Sequence, residues 1–523
     1  MGPRAGPRFC PARPKRTRGR GLDRAVGDAL IPLPIVQQEF FPCHLPPLCP
    51  EAYPGAGSMY LATSLPDDML ADVLCRLAPR GLAKSRCVCK SWRRVVDGHH
   101  LLRADLLPLS LGGIFLNFHD MVSTQFLSRP TTGAAVSGKL FCYTLAACHP
   151  DYDYVPYPKV LGHCNGLLLF RHCVVNPATR QWAPLPPAPD LPLPPPGIHF
   201  WMRWYLVFDP TLSPNYFDVL IMPKIPSIRN NECEKLEWPP YTLTLPVFSS
   251  KACSWEERTF RREGEAAGML PDMVESPQFC NDYQCAYREA LYVCCSCFVL
   301  RISLSDNTYR VIRLPPVSFL KDNPRGRYEF YLGKSTKGIY CASLPYMPSA
   351  ELQVWFLDDL NEWVLKHDTV MPPPPNLNYD QPCDGPWILQ EFDYQRDADE
   401  DGSVLDNNKE AMAEKEKFGA IVEEKFEWDS DNDNVLEPGS SQHFSFDIVG
   451  FHPYKEVVLL SLEERVVAYH WSSSKIQDLG KLFPKFYSDP YRGFFNKMLT
   501  ESFPYTPCWL GELPEKMNLE AML

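Results

Sequence analysis

The sequence predicts a mainly β protein with one small helical module near its start. Three observations carry this. Proline makes up 54 of 523 residues, about twice the usual share, and a proline breaks a helix interior. Aromatic residues reach 12% and favour pleated strands. Apolar spacing of the helical kind occurs in one stretch, residues 62–107, whereas short apolar runs separated by turn residues fill most of the chain beyond residue 107. A chain 45% hydrophobic and 22% charged is not wholly disordered, and it is too long for one ordinary domain.

Residues 1–57 are rich in Pro, Gly and Arg and carry the basic cluster Lys15-Arg16-Thr17-Arg18-Gly19-Arg20. They read as a disordered tail. The cluster has the composition of a nuclear signal or a nucleic-acid arm. The segment has no apolar run of the secretory kind, and Met59 is a second candidate start. Without such a leader, the 20 cysteines read as reduced and buried.

In residues 62–107, Ser64-Leu65-Pro66-Asp67 has the pattern of a helix start, with proline in the first turn. Leu70, Val73, Leu74 and Leu77 then fall at i, i+3, i+4 and i+7 and form one apolar face. Pro79 ends this helix. A short second helix is expected over Leu82–Cys87 and a third over Lys90–Val96. Val88, Trp92, Val95 and Val96 face inward there, and Arg86, Lys90, Arg93 and Arg94 face water. Three short helices make a marginal core, so the module is expected to need a partner.

The run Ser64-Leu65-Pro66-Asp67-Asp68-Met69-Leu70-Ala71-Asp72-Val73-Leu74-Cys75-Arg76-Leu77, followed by Arg86-Cys87-Val88-Cys89-Lys90-Ser91-Trp92-Arg93, resembles an F-box. Ala78 departs from the family pattern, which often has proline there. The resemblance implies docking on a Skp-type adaptor, and through it on a cullin, by Leu65, Pro66, Leu70, Leu74, Val88 and Trp92.

Residues 108–392 and 440–515 are strand-rich. A loose unit of roughly 40–60 residues recurs: an apolar strand, a polar turn, further strands and often a Leu-Pro end. Five units are clear, beginning near Gly166, Tyr205, Ala290, Gly338 and Phe446, and the length leaves room for seven. Units of several strands at this spacing predict a β-propeller-like repeat domain, with a pair of β-sandwiches as the alternative. His163-Cys164-Asn165-Gly166-Leu167-Leu168 and Asn176-Pro177-Ala178-Thr179 resemble the F-box-associated region of large plant F-box families. A target protein is then expected on loops at one face. Trp201, Trp204 and Tyr205 are the candidate anchors, although strand burial accounts for Tyr205 equally well.

Residues 393–439 interrupt this region and read as an acidic, disordered insertion. Residues 396–437 hold 15 Asp/Glu against 5 Lys/Arg. This nearly accounts for the net charge of -11, so the acidity is local, and no nucleic-acid footprint spans the protein. No apolar run is long enough for a membrane helix.

Phosphate-binding, nucleophile-elbow and zinc-protease motifs are absent from the sequence. Cys87-x-Cys89 with His99-His100 lacks the spacing of a zinc finger. No cofactor or metal is expected. What the F-box resemblance implies is the favoured expectation: a non-catalytic substrate-recognition subunit of an SCF-type cullin–RING ubiquitin ligase, intracellular, with nothing to choose between nucleus and cytoplasm. The alternatives are a hydrolase-like propeller enzyme using channel carboxylates, or an F-box protein acting outside the ligase.

Overall fold

A computed structural model describes most of residues 66–77, 88–99, 111–129, 159–189, 202–224, 237–270, 284–316, 328–345, 351–373, 386–390, 434–437, 446–483 and 499–514, with a few positions between these stretches. The N-terminal tail, Leu65, Trp201 and nearly all of the acidic insertion lie outside the described residues. The described chain is mainly β, with helices α1 (Asp67–Leu74) and α2 (Lys90–Gly98). No described helix is long and apolar enough to cross a membrane.

Helix α1 starts after Pro66 and stops at Cys75, four residues before Pro79. Asp67 and Asp68 lie in its first turn, where the helix dipole favours negative charge. Of the expected second helix only Leu82 and Ser85 are described, both helical and buried. Helix α2 is capped by Cys89, whose Sγ accepts the Trp92 backbone N–H at 3.5 Å. The two helices pack together, and Leu70, Ala71, Leu74, Leu82, Val95 and Val96 are the buried apolar residues of the module.

Among the described residues, most strands fall into six four-stranded antiparallel units, beside two two-stranded pairs and two short edge strands. Sheet I is made from distant parts of the chain: 388–390, 125–128, 113–118 and 499–505, in that spatial order. The chain's first and last described strands are neighbours in it, with Phe115 opposite Phe503. Sheets II (162–184), III (202–263), IV (284–313), V (328–370) and VI (446–481) are consecutive meanders. Sheets III and IV also join edge to edge through a parallel pairing of 261–263 with 308–310. Val435–Leu436 adds an edge strand to sheet VI, so the last residues of the expected insertion belong to the fold. The five clear units of the sequence correspond to sheets II to VI.

Alternate residues on a strand point to opposite faces, and on many of the described strands both faces are covered. Ile114 and Leu116 pack with Val457 and Leu459 of sheet VI, whereas Phe115 between them packs with Leu168 and Val175 of sheet II. Leu167 and Leu169 turn instead to Leu206 and Phe248 of sheet III. Tyr205 and Leu220 of sheet III meet Leu291 and Val293 of sheet IV. Sheets IV, V and VI share one larger cluster that includes Tyr292, Val354 and Val458. The apolar clusters therefore run I–II–III–IV–V–VI and return to I. A sheet buried on both faces needs near-continuous apolar runs, as in Val457–Leu462 and Gly338–Leu344.

Sheet I also carries polar links toward sheets II and III. The buried Asn117 amide donates to Val160 O and to Glu501 Oε2, each at 2.8 Å. Glu501 Oε1 accepts from Arg203 at 3.0 Å. A buried amide costs little only when its hydrogen bonds are made. Most described cysteines are free thiols, but Cys294 is disulfide-bonded, which corrects the reading that all are reduced.

Candidate functional site

Among the described residues, one candidate binding surface lies on the helices and another among the inner strands of the sheets.

On the helices, the predicted apolar face divides. Leu70 and Leu74 are 4% and 1% exposed and form the module's own core, so they give a partner little surface. Met69, Val73, Leu77 and Val88 are 57, 53, 41 and 63% exposed. Met69 and Val73 are one helical turn apart, and Leu77 comes in the turn after α1. A helix of eight residues cannot bury a stripe wider than the neighbour it packs on, so the flank of the stripe stays in water. Pro66 is exposed at the helix start, and Trp92 is half-buried on α2. Polar groups around the apolar residues are paired at the surface: Arg94 forms an ion pair with Asp67 at 3.3 Å, and the His99 ring stands 3.8 Å from the Asp68 carboxylate.

Among the strands, a pocket of about 680 Å³, its open mouth included, is bounded by the ends of inner strands from sheets I, II, IV, V and VI. The segment His163–Gly166 lines one side. Asn165 and Gly166 have φ of 45° and 92°, the left-handed pair of a tight hairpin turn. Gly166 is required twice over, because a Cβ there would lie 2.5 Å from Cys508 Cβ. The companion segment Asn176–Thr179 is also a turn: Asn176 Oδ1 accepts the Ala178 and Thr179 N–H groups at 3.1 and 3.4 Å. Asn176 Nδ2 donates to Cys508 O at 3.0 Å.

The pocket's polar anchor is Lys334, whose Nζ donates to Asn165 Oδ1 at 3.0 Å. Asn165 is held in turn by donating through Nδ2 to Phe208 O at 2.6 Å. Tyr331, Phe451 and Tyr454 supply aromatic walls. Close approach of the strands needs glycine at two points. A Cβ on Gly333 would lie 2.5 Å from the Phe451 ring, and one on Gly450, whose φ is +153°, would lie 2.5 Å from Pro504 and 2.9 Å from the Tyr331 hydroxyl.

Burial sets the protonation states of the pocket. It lowers His163 to about 4, with the Lys334 charge adding to the effect, so the imidazole is neutral at pH 7. It pushes the Cys285 thiol up to about 12 against the pull of Lys334, and it raises Tyr331 and Tyr454 as well. A thiol held protonated is a poor nucleophile. The described lining combines one lysine, a neutral imidazole and aromatic surface. Among the described residues, no group of three or more His, Cys, Asp or Glu is placed to hold a metal ion.

The predicted anchors lie elsewhere. Tyr205 is buried between sheets III and IV, because its neighbour Leu206 faces sheet II and strand alternation turns it inward. It has no surface for a target, which corrects its reading as an exposed anchor. Trp204 is half-buried, edge-on to Trp255 at 5.6 Å with the Arg171 guanidinium 6.0 Å from its ring. Neither lines the pocket. Lys334, Tyr331 and Phe451 went unremarked in the sequence because nothing local distinguishes them. The one usable signal was the Asn165-Gly166 turn.

Residues 63–104 match the F-box domain family. The chain is 28% identical over 123 residues to an F-box protein of Arabidopsis thaliana, an alignment covering 23% of this chain and 28% of that one. It is 27% identical over 141 residues to a second Arabidopsis thaliana F-box protein, covering 24% and 44% of the two chains. The chain thus spans less than half the length of either relative. What the comparisons establish is an F-box domain on the two helices and a similarity to plant F-box proteins.

Proposed function

We propose that this chain is the target-recognition subunit of an SCF-type cullin–RING ubiquitin ligase. The observation that carries the reading is the F-box match over residues 63–104. It falls on a module too small to cover its own apolar side chains. Burying apolar surface is worth about 25 cal/mol per Å², and Met69, Val73, Leu77 and Val88 are the residues left to gain from it. They form the docking surface for a Skp-type adaptor, with Pro66 at its edge; Leu65, also expected to dock, lies outside the described residues. Leu70, Leu74 and Trp92 shape that surface from behind. The cullin is reached through the adaptor.

The β region is a six-bladed propeller in this proposal, one blade per sheet, closed by the pairing of 113–118 with 499–505. Its resemblance to F-box-associated regions and the cyclic order of its apolar clusters both support this. It holds a target protein at the pocket between the inner strands. The chain then performs no chemistry of its own. It raises the concentration of target beside the ubiquitin-carrying subunits.

Co-expression with a Skp-type adaptor tests the proposal. The full-length wild-type chain should co-elute with the adaptor in size-exclusion chromatography, and a Val73→Glu, Leu77→Glu double variant with unchanged thermal unfolding should not. Failure of the wild-type chain to co-elute overturns the reading.

A further inference from the structure

The charge balance of the inner pocket is incomplete. Lys334 stands near the end of an inner strand, partly buried, and an ammonium carries three donors. Among the described residues its hydrogen-bond partner is the neutral Asn165 side-chain oxygen, and no carboxylate pairs with it. The neighbouring Lys337 differs: it is exposed and already paired with Glu456 at 2.6 Å. Taking a cation out of water without a counter-charge is costly. The fold nevertheless secures this position. Asn165 is pinned by Phe208 O, and Gly333 beside Lys334 lets the Phe451 ring close to it.

We infer that the pocket takes a carboxylate carried next to an apolar group, with the Lys334 ammonium as its counter-charge and Tyr331, Phe451 and Tyr454 as the apolar wall. This rests on the proposal that the β region holds a target protein, and it names the chemistry by which the target is held. One cation on a flexible stem suits a single negative charge. A phosphate dianion is usually met by an arginine fork or a nest of backbone N–H groups, and among the described residues no arginine lines this pocket. His163 adds no competing positive charge, since it is neutral at pH 7.

Ligand-observed NMR with the full-length chain tests the inference. 3-Phenylpropionate should bind at least ten-fold more tightly than 3-phenylpropionamide, which differs only in charge. Lys334→Met should abolish that preference, and Lys334→Arg should retain most of it. Equal binding of acid and amide to the wild-type chain overturns the inference whether or not the variants fold. Tighter binding of phenyl phosphate than of the carboxylate overturns the assignment of ligand class. N-acetylphenylalanine and N-acetyl-glutamyl-phenylalanine amide distinguish a chain-terminal from a side-chain carboxylate, and preference for either supports the inference. Loss of adaptor co-elution with the acid preference intact would sink the ligase reading alone, and the reverse result would sink this inference alone.

Discussion

Val73 and Leu74 are adjacent in α1, yet the first stands in water and the second is buried. In the sheet VI strand Val457–Leu462 every residue is buried. The helical module and the β region thus treat the same residue types in different ways. Two short helices pack one side of each and leave the other side without cover. In the β region each sheet has a neighbour on both faces, so alternation along the inner strands sends apolar residues of both faces into clusters, and the exposed apolar residues Val364, Leu365 and Val370 lie on an edge strand. A region that satisfies itself in this way shows a partner only its edges, loops and pocket. A region that does not must recruit one.

The strongest way to break the comparison is to open the closed set of clusters. Phe126 is fully buried, its ring stacked on Phe115 at 4.2 Å and facing Tyr505 edge-on at 6.4 Å. Phe126→Ala should cost about 3–5 kcal/mol, read as a lower urea midpoint for the β transition. A cost below about 1 kcal/mol would mean that sheet I is not integral to the fold.

Next in size is the contrast within α1. Leu74→Ala should cost about 2–4 kcal/mol through the cavity it leaves, and Val73→Ala should change stability by no more than about 0.5 kcal/mol. Hydrogen exchange at the α1 and α2 amides measures both, with exchange in sheets II to VI as the unaffected reference. Adaptor binding should show the opposite order, with Val73→Ala the more damaging on affinity once folded protein is compared. Equal effects of the two variants on stability would contradict the division of the apolar stripe.

The smallest expected effect sharpens the same comparison through pH. Burial, reinforced by the nearby Asp447 charge and opposed by the Ile448 N–H that it accepts at 3.2 Å, pushes the Glu329 carboxyl up to about 8 from an ordinary value of 4.5. The folded state therefore holds a proton that the unfolded chain has released between these two values. Stability falls as pH rises through that window and levels off above about 8. Glu329→Gln should remove this contribution, so the variant should gain thermal stability relative to wild type at pH 9 compared with pH 5. Parallel curves for the two proteins would refute it.

Much of the architecture was legible in the chain. The F-box pattern at Leu65–Leu77 and Arg86–Arg93 is local, and local patterns survive in a sequence because residues a few positions apart meet on one helix. The five meanders are legible for the same reason, since consecutive strands pair across short turns. Sheet I was not, because its strands come from residues 113 and 505 and from points between them, and no local signal records a pairing at that distance. The split of the helical stripe was equally hidden: Leu70 and Val73 have the same spacing and the same apolar character, and only the position of α2 decides which is covered.

The amino-acid order by itself determined the fold class, the helical module, the strand-rich repeats and the turns at Asn165-Gly166 and Asn176–Thr179, because each arises from steric and hydrogen-bonding preferences within about ten residues. Tertiary structure decided the rest. It turned Tyr205 inward, left Met69 outside, and brought His163, Lys334, Phe451 and Pro504 to one pocket. Residues hundreds of positions apart become neighbours only when sheets that need cover on both faces pack against one another.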